Sequence, residues 1–199
     1  MGSIDHLVVT AASVETGAAH IEGALGQPMG PGGQHERMAT HNRLVGLDGP
    51  YLEAIAADPD APSPGRPRWY NLDNRTGGPA FDHWAVRVDD LDAAVATFPN
   101  AGEILSFARG DLRWRMAVPP DGRLPFDGCF PALLQWDTAP PAFPDIGLRL
   151  EALSIRHPHA GALRKALDGL LSDARITVAD GPAGLRATIA TPDGLRELT

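Results

Sequence analysis

The stretch IDHLVV at residues 4–9 returns as FDHWAV at residues 81–86. Each copy places an apolar residue, an aspartate and a histidine before an apolar run, with His6 and His83 in matching positions. Apolar runs of this length, rich in β-branched and aromatic residues, are typical of β-strands. The recurrence predicts an internal repeat and a fold built from two similar units.

The first predicted unit spans residues 1–57 and opens with the first histidine strand. Ser13 is a candidate N-cap, and Gly26 can end the helix that follows. Apolar residues recur at helical spacing between them; these are Val14, Ala18, Ile21 and Leu25. The Gly-rich stretch 30–39 is predicted as a strand or loop, and two strands follow it. The predicted order of this unit is β-α-β-β-β.

Residues 58–80 are rich in Pro, Gly and polar residues and break all periodicity, which is typical of a linker. Residues 81–138 then repeat the β-α-β-β-β order, and a second Pro-rich linker follows. Residues 148–199 look like a truncated third copy with the order β-α-β-β, and residues 195–198 are a further candidate strand. In this copy Ala152 falls where the first unit has His6, so the copy lacks the histidine.

A doubled β-α-β-β-β unit that opens with a histidine strand resembles the vicinal oxygen chelate superfamily. This superfamily includes glyoxalase I, extradiol dioxygenases and bleomycin-resistance proteins, and the stretch 32–59 is most similar to its glyoxalase-like domain proteins. The resemblance implies an α+β fold in which paired βαβββ modules form a cupped mixed sheet around one cavity. The C-terminal half-module is expected to pack on the outside.

The resemblance also implies a set of metal ligands on the first and last strands of each unit: His6, Glu53, His83 and Gln135. Two imidazoles and a carboxylate suit a divalent metal such as Zn, Ni, Mn or Fe(II). Gln135 departs from the family, which often has a carboxylate there. An amide is a weaker metal ligand, and it cannot act as a base near neutral pH.

Glu53 and His41 are the candidate catalytic residues. Glu53 lies in an otherwise apolar strand, where a carboxylate is costly unless it is paired or binds a metal. A structural alternative is an ion pair between Glu53 and an arginine, for which the candidates are Arg43, Arg113 and Arg115. His41 is a candidate general acid near Glu53, with an exposed position at the strand end as the alternative.

Further candidates for substrate binding lie on the predicted strands; they are Asn42, Arg113, Arg115, Trp84, Trp114 and Trp136. An arginine directed into a cavity suits a carboxylate-bearing substrate, although an arginine on an outer sheet face is equally common. The tryptophans are expected in the core or in the cavity wall. Asp5 and Asp82 are expected to face away from the site and to cap or pair locally rather than to bind a ligand.

The charge and the cysteine content limit the classes of binding partner and the cellular compartment that we expect. The 199-residue chain has 17 Lys and Arg against 25 Asp and Glu, which gives a net charge of −8 at pH 7. This argues against nucleic acid and against an anionic membrane surface. Cys129 is the single cysteine, so no internal disulfide can form and a reducing cytoplasm is expected. A small-molecule ligand is the expected partner, and a homodimer is left open.

Two functions fit these observations. The first is a metal-dependent lyase, isomerase or dioxygenase that acts on a small organic substrate with vicinal oxygens. The alternative is a metal-free small-molecule binding protein of the bleomycin-resistance type. A third hypothesis makes the paired units a scaffold and the C-terminal half-module a dimerisation element.

Overall fold

The computed structural model describes all 199 residues. Twelve strands and three α-helices make up the chain. The strands are β1 Ser3–Thr10, β2 Gln34–His35, β3 Thr40–Gly46, β4 Tyr51–Ala57, β5 Ala80–Arg87, β6 Glu103–Arg109, β7 Leu112–Val118, β8 Ala132–Trp136, β9 Arg149–Arg156, β10 Ile176–Ala179, β11 Gly184–Thr191 and β12 Gly194–Leu198. The helices are α1 Val14–Leu25, α2 Leu91–Thr97 and α3 Ala160–Asp168. None of them is both long and apolar enough to cross a membrane.

The repeated sequence becomes a repeated half of one sheet. Eight strands lie in the order β2-β3-β4-β1-β5-β8-β7-β6. In each half the first strand runs parallel to the last, β1 beside β4 and β5 beside β8. The antiparallel pair β1 and β5 joins the halves within one chain. The α+β fold with paired βαβββ units in a mixed sheet is therefore confirmed.

The sheet curves until its two edges approach each other. Arg37, just after β2, donates from Nη1 to the backbone oxygen of Ser106 in β6 at 2.9 Å. Arg109, at the end of β6, donates from Nη1 to Asn42 Oδ1 in β3 at 3.1 Å. The concave face therefore encloses an inner space between strands that are far apart in the sheet order.

Helix α1 begins and ends at the residues that the sequence indicates. The Ser13 hydroxyl accepts from the backbone N–H of Thr16, and Gly26 ends the helix in the left-handed conformation at φ 68°. The four apolar residues at helical spacing are all buried. This helix packs on the convex face of the sheet, where Gly17 lies against Ala54 of β4.

The C-terminal residues form a sheet of their own, in the order β10-β9-β11-β12. Its first strand runs parallel to the next strand, β10, and antiparallel to β11. This differs from the two main units, where the first strand runs parallel to the last. The predicted half-module thus has a further strand, β12, and a different topology. Leu153 and Ile189 share one apolar core with Trp84 of the main sheet, so the unit packs on the convex side.

Candidate functional site

Both Asp-His pairs sit at β-bulges where β1 and β5 meet. Ile4 pairs with Val86 and His6 with Ala85, so Asp5 is an extra residue in β1. Further along the same pair of strands, Asp82 is the extra residue in β5. A bulge interrupts the alternation of side chains. Each aspartate can therefore reach the histidine beside it, which an unbroken strand would place on the opposite face.

The first pair is fully buried. The Nδ1–H of His6 donates to Asp5 Oδ1 at 2.7 Å, and Asp5 Oδ2 accepts from Trp136 Nε1 at 2.9 Å. Tyr51 stacks on the His6 ring with 4.7 Å between the ring centres. These contacts fix the imidazole so that Nε2 is directed into the inner space. Asp5 pairs locally, as expected, but it does not face away, because the bulge turns it toward His6.

Glu53 faces this imidazole from the neighbouring strand β4. Glu53 Oε2 lies 3.5 Å from His6 Nε2, and the hydroxyl of Tyr70 lies 3.3 Å from the same nitrogen. The amide of Asn42 donates to Glu53 Oε1 at 2.5 Å. A buried imidazole, a buried carboxylate and a phenol therefore converge on one point. The arginine partners that the sequence suggested for Glu53 do not contact it.

His35 and Arg109 complete the network around Asn42. Nε2 of His35 lies 3.4 Å from the Asn42 amide nitrogen and 3.5 Å from Arg109 Nη1. Because both neighbours are donors, Nε2 carries the lone pair and Nδ1–H donates to Thr40 Oγ1 at 3.0 Å. Burial and the nearby charge of Arg109 lower the pKa of His35 to about 3. His35 is therefore a neutral acceptor at physiological pH.

Electrostatics favour a charged pair at Asp5 and His6. Burial by itself lowers the pKa of His6, but the hydrogen bond to Asp5 and the charge of Glu53 outweigh it and raise the pKa. Burial by itself raises the pKa of Asp5, but the hydrogen bond and charge of His6 outweigh it and lower the pKa. Burial keeps the pKa of Tyr70 well above its ordinary value, so its hydroxyl stays protonated and can donate.

These side chains line a small inner cavity of about 30 Å³. Its lining residues are His6, His35, Asn42, Tyr51, Glu53, Trp69, Tyr70, Arg109, Trp114, Met116, Leu134 and Trp136. This volume is far below the roughly 300–1,000 Å³ of typical ligand pockets. An organic ligand therefore has to displace part of the wall.

The second Asp-His pair opens into a different cavity. His83 Nδ1 and Asp82 Oδ1 lie 2.7 Å apart, as in the first pair. The cavity beside His83 has a volume of about 380 Å³, and most of its lining residues are polar. Tyr70 separates the two cavities, since it contacts His6 through its hydroxyl and lies 5.2 Å from the His83 ring between ring centres. His83 does not line the cavity that holds His6 and Glu53.

The structure places five of the predicted site residues in the inner cavity: His6, Asn42, Glu53, Trp114 and Trp136. His41 requires a correction, because it lies on the opposite face of β3 from Asn42. Its cross-strand partner is Ala56, which shares the convex face with Ala54 beside α1. Trp84 also lies on the convex side, in the apolar core, where its Nε1 donates to the Cys129 backbone oxygen at 2.9 Å.

Gln135 is corrected in the same way, whereas Arg113 and Arg115 take the alternative position on the outer face of the sheet, since Trp114 between them lines the cavity. Gln135 lies between Leu134 and Trp136, which line the cavity, so alternation directs it to the convex face. There its Oε1 accepts from the backbone N–H of Leu91 at 2.9 Å and from Arg115 at 2.8 Å. Arg113 donates to backbone oxygens of its own turn.

Several cavity residues escaped the sequence analysis: His35, Tyr51, Trp69, Tyr70 and Arg109. His35 lies in a two-residue strand that follows a Gly-rich loop, and no periodicity marks it. Trp69 and Tyr70 belong to a short 3-10 helix, Trp69–Asn74, inside the predicted linker. The one available signal was the pair of adjacent aromatic residues in an otherwise polar segment.

The comparison with family models agrees with this architecture. The model described as a glyoxalase-like domain matches residues 4–171, which includes both main units, β9 and α3. The fold and this match define a glyoxalase-like protein of the vicinal oxygen chelate superfamily. The chain belongs to the glyoxalase-like domain family. No curated protein matches the sequence.

Solved structures with similar folds share little sequence with the chain. A hypothetical protein from Staphylococcus aureus is 11% identical, with a TM-score of 0.62 over 92% of this chain and 88% of that one. Methylmalonyl-CoA epimerase from Mycobacterium tuberculosis is 18% identical, with a TM-score of 0.43 over 69% of this chain and 88% of that one. The first similarity shows the fold alone, and the second is too low to support a functional argument.

Proposed function

We propose that the protein is an enzyme of the isomerase or lyase type that moves a proton on a small organic substrate with adjacent oxygens. The observation that carries the proposal is the convergence of His6 Nε2 and Glu53 Oε2 at 3.5 Å in a buried cavity. An oriented acid beside a carboxylate is the arrangement that general acid-base catalysis requires.

The roles follow from the hydrogen bonds. Asp5 holds the His6 imidazole and favours its protonated form, so Nε2–H can donate to a substrate oxygen. The protonated hydroxyl of Tyr70 supplies a second donor at the same place. Glu53 takes the proton from the adjacent carbon, and Asn42 orients its carboxylate. The two donors then stabilise the negative charge that develops on the oxygen.

The divalent metal implied by the resemblance does not fit the donors as they are arranged. No group of three or more His, Cys, Asp or Glu side chains can hold a metal ion. Only His6 and Glu53 converge, since His83 lies beyond Tyr70 and Gln135 lies on the convex face. The guanidinium of Arg109 also lines the cavity, which disfavours a cation there. The proposed proton transfer therefore assigns no step to a metal.

Exchange of carbon-bound hydrogen for deuterium in D₂O, followed by ¹H NMR, tests the proposal. Substrates are a panel of small 2-hydroxy ketones and 2-oxo acids. We expect the wild type to catalyse exchange and Glu53→Gln to lower its rate at least about 100-fold. His83→Gln is the matched control, because this histidine has the same aspartate contact but lies outside the inner cavity. Equal rates in the wild type and Glu53→Gln would overturn the proposal.

A metal-free binding protein is the second candidate, and the aromatic wall favours it. The indole rings of Trp114 and Trp136 lie 5.4 Å apart between ring centres, and Trp69 lines the same cavity. Such a wall suits a flat apolar ligand. Saturable binding of a small aromatic ligand, without hydrogen exchange on any substrate of the panel, would favour this function over the enzyme.

A further inference from the structure

An apolar groove of about 540 Å³ lies next to the inner cavity. Its walls come from the loop 27–32, from residues 44–46 of β3 and from the second Pro-rich linker, where Phe143 and Ile146 contribute. Gly46 carries no side chain, and Phe143 packs against it so closely that a Cβ there would lie 2.5 Å from the Phe143 Cβ. The second linker therefore forms part of the groove wall.

Arg109 is the one charged residue among those that line the groove. It also lines the inner cavity, so both spaces share its side chain. Its Nη1 donates to neutral acceptors, Asn42 Oδ1 and His35 Nε2. Arg109 takes part in none of the salt bridges of the chain. The salt bridges that are present join Met1 to Asp89, His6 to Asp5 and Glu53, Arg43 to Glu22, Arg66 to Glu103, Arg68 to Asp73, His83 to Asp82, Arg115 to Asp92 and Asp137, Arg149 to Asp48 and Glu151, His157 to Asp127, Arg175 to Asp173, and Arg186 to Glu197.

A half-buried guanidinium without a carboxylate partner favours an anionic ligand. The planar fork of arginine matches the geometry of a carboxylate. Gly33 supports this position, since a Cβ there would lie 2.6 Å from Arg109 Cδ. The glycine thus lets the arginine pack against the loop and reach the boundary between groove and cavity.

The geometry points to an apolar carboxylate as the ligand of the groove, with its head on Arg109 and its chain along Phe143. The link to catalysis rests on the proposed function. Arg109 donates to Asn42, and Asn42 donates to Glu53, so two hydrogen bonds connect the arginine that holds the ligand to the catalytic carboxylate. The expected substrate is therefore an apolar acid with an oxygen near its carboxylate end, such as a 2-oxo acid.

Isothermal titration with octanoate, octanol and octylamine tests the inference. We expect octanoate to bind best, and Arg109→Gln to weaken octanoate at least about tenfold while leaving octanol unchanged. Phe143→Ala weakens octanoate and octanol by the same factor, because it removes apolar surface alone. Arg113→Gln is the matched control, since this exposed arginine bonds only its own turn and lies outside the groove.

The outcomes separate the two proposals. Glu53→Gln should retain octanoate binding and lose hydrogen exchange on 2-oxooctanoate. Loss of exchange with unchanged binding supports both proposals, and exchange that persists in Glu53→Gln overturns the proposed function alone. No octanoate binding, equal binding of octanoate and octanol, or full binding by Arg109→Gln would overturn the inference. Far-UV circular dichroism of each variant verifies that it is folded.

Discussion

The two Asp-His pairs begin from the same sequence and end in different environments. Both have an Nδ1 to Oδ1 distance of 2.7 Å, and both sit at a bulge between β1 and β5. Asp5 has a fully buried side chain, whereas the side chain of Asp82 is 38% exposed. The repeated motif thus specifies the local contact, and the surroundings decide what the histidine can do.

The difference originates on the last strand of each half. Two residues after His6, Val8 pairs with Glu53 of β4. Two residues after His83, Ala85 pairs with Ala132 of β8. The register therefore makes Ala132, and not Gln135, the structural counterpart of Glu53. The second histidine has no carboxylate at the matching position, which is why only the first pair forms an acid-base site.

Substitution of each aspartate by asparagine should give the largest difference between the two pairs. Asp5→Asn should lower the free energy of unfolding by about 3 kcal/mol, because it leaves a buried imidazole without its charged partner. Asp82→Asn should cost less than about 1 kcal/mol, because its pair is partly solvated. Urea unfolding of both variants measures the difference, and equal losses would show that burial does not distinguish the two pairs.

A smaller effect is expected when the loss of unfolding free energy in Asp5→Asn is followed as a function of pH. The pKa of Asp5 is lowered from 3.8, so its stabilisation is present above pH 3.8 and is lost as pH falls through its folded value. The pKa of His6 is raised from 6.5, so its stabilisation is present below pH 6.5 and is lost as pH rises through its folded value. The gap in unfolding free energy between wild type and Asp5→Asn should therefore be widest between these values.

Urea titrations from pH 3 to pH 9 measure this gap, with Asp82→Asn as the control series. A gap that continues to grow above pH 6.5 would contradict the expected sign for His6 and would mean that its neutral form is the one stabilised in the folded protein.

The smallest effect is expected on the dissociation constant for Zn²⁺ when His83 is substituted. Because Tyr70 separates His83 from the inner cavity, His83→Gln should keep the dissociation constant for Zn²⁺ within about twofold of the wild type. His6→Gln and Glu53→Gln should likewise keep it within about twofold, because only two donors converge in the cavity and the guanidinium of Arg109 lies there as well. Competition with a chromophoric chelator measures all four proteins. Equal losses in His6→Gln and His83→Gln would restore the ligand set that the resemblance implies.

Much of the fold could be predicted because it rests on local patterns. Ser13, Gly26 and the apolar spacing between them predict α1, and the repeat predicts two equal halves of the sheet. Glu53 could be singled out because a carboxylate in an apolar strand needs a partner. That partner is an amide and an imidazole rather than the suggested arginines. Choosing among partners requires distances between strands, which no local pattern contains.

Local sequence patterns indicate the doubled β-α-β-β-β order, the two Asp-His repeats and the carboxylate in an apolar strand. Three-dimensional packing sets which of these residues meet. A strand pattern repeats every two residues, so a change of one residue in register or one bulge moves a side chain to the other face. That is why His41 and Gln135 lie outside the cavity. The curvature of the sheet and the path of the linker bring Arg109 and Tyr70 into it from distant parts of the chain.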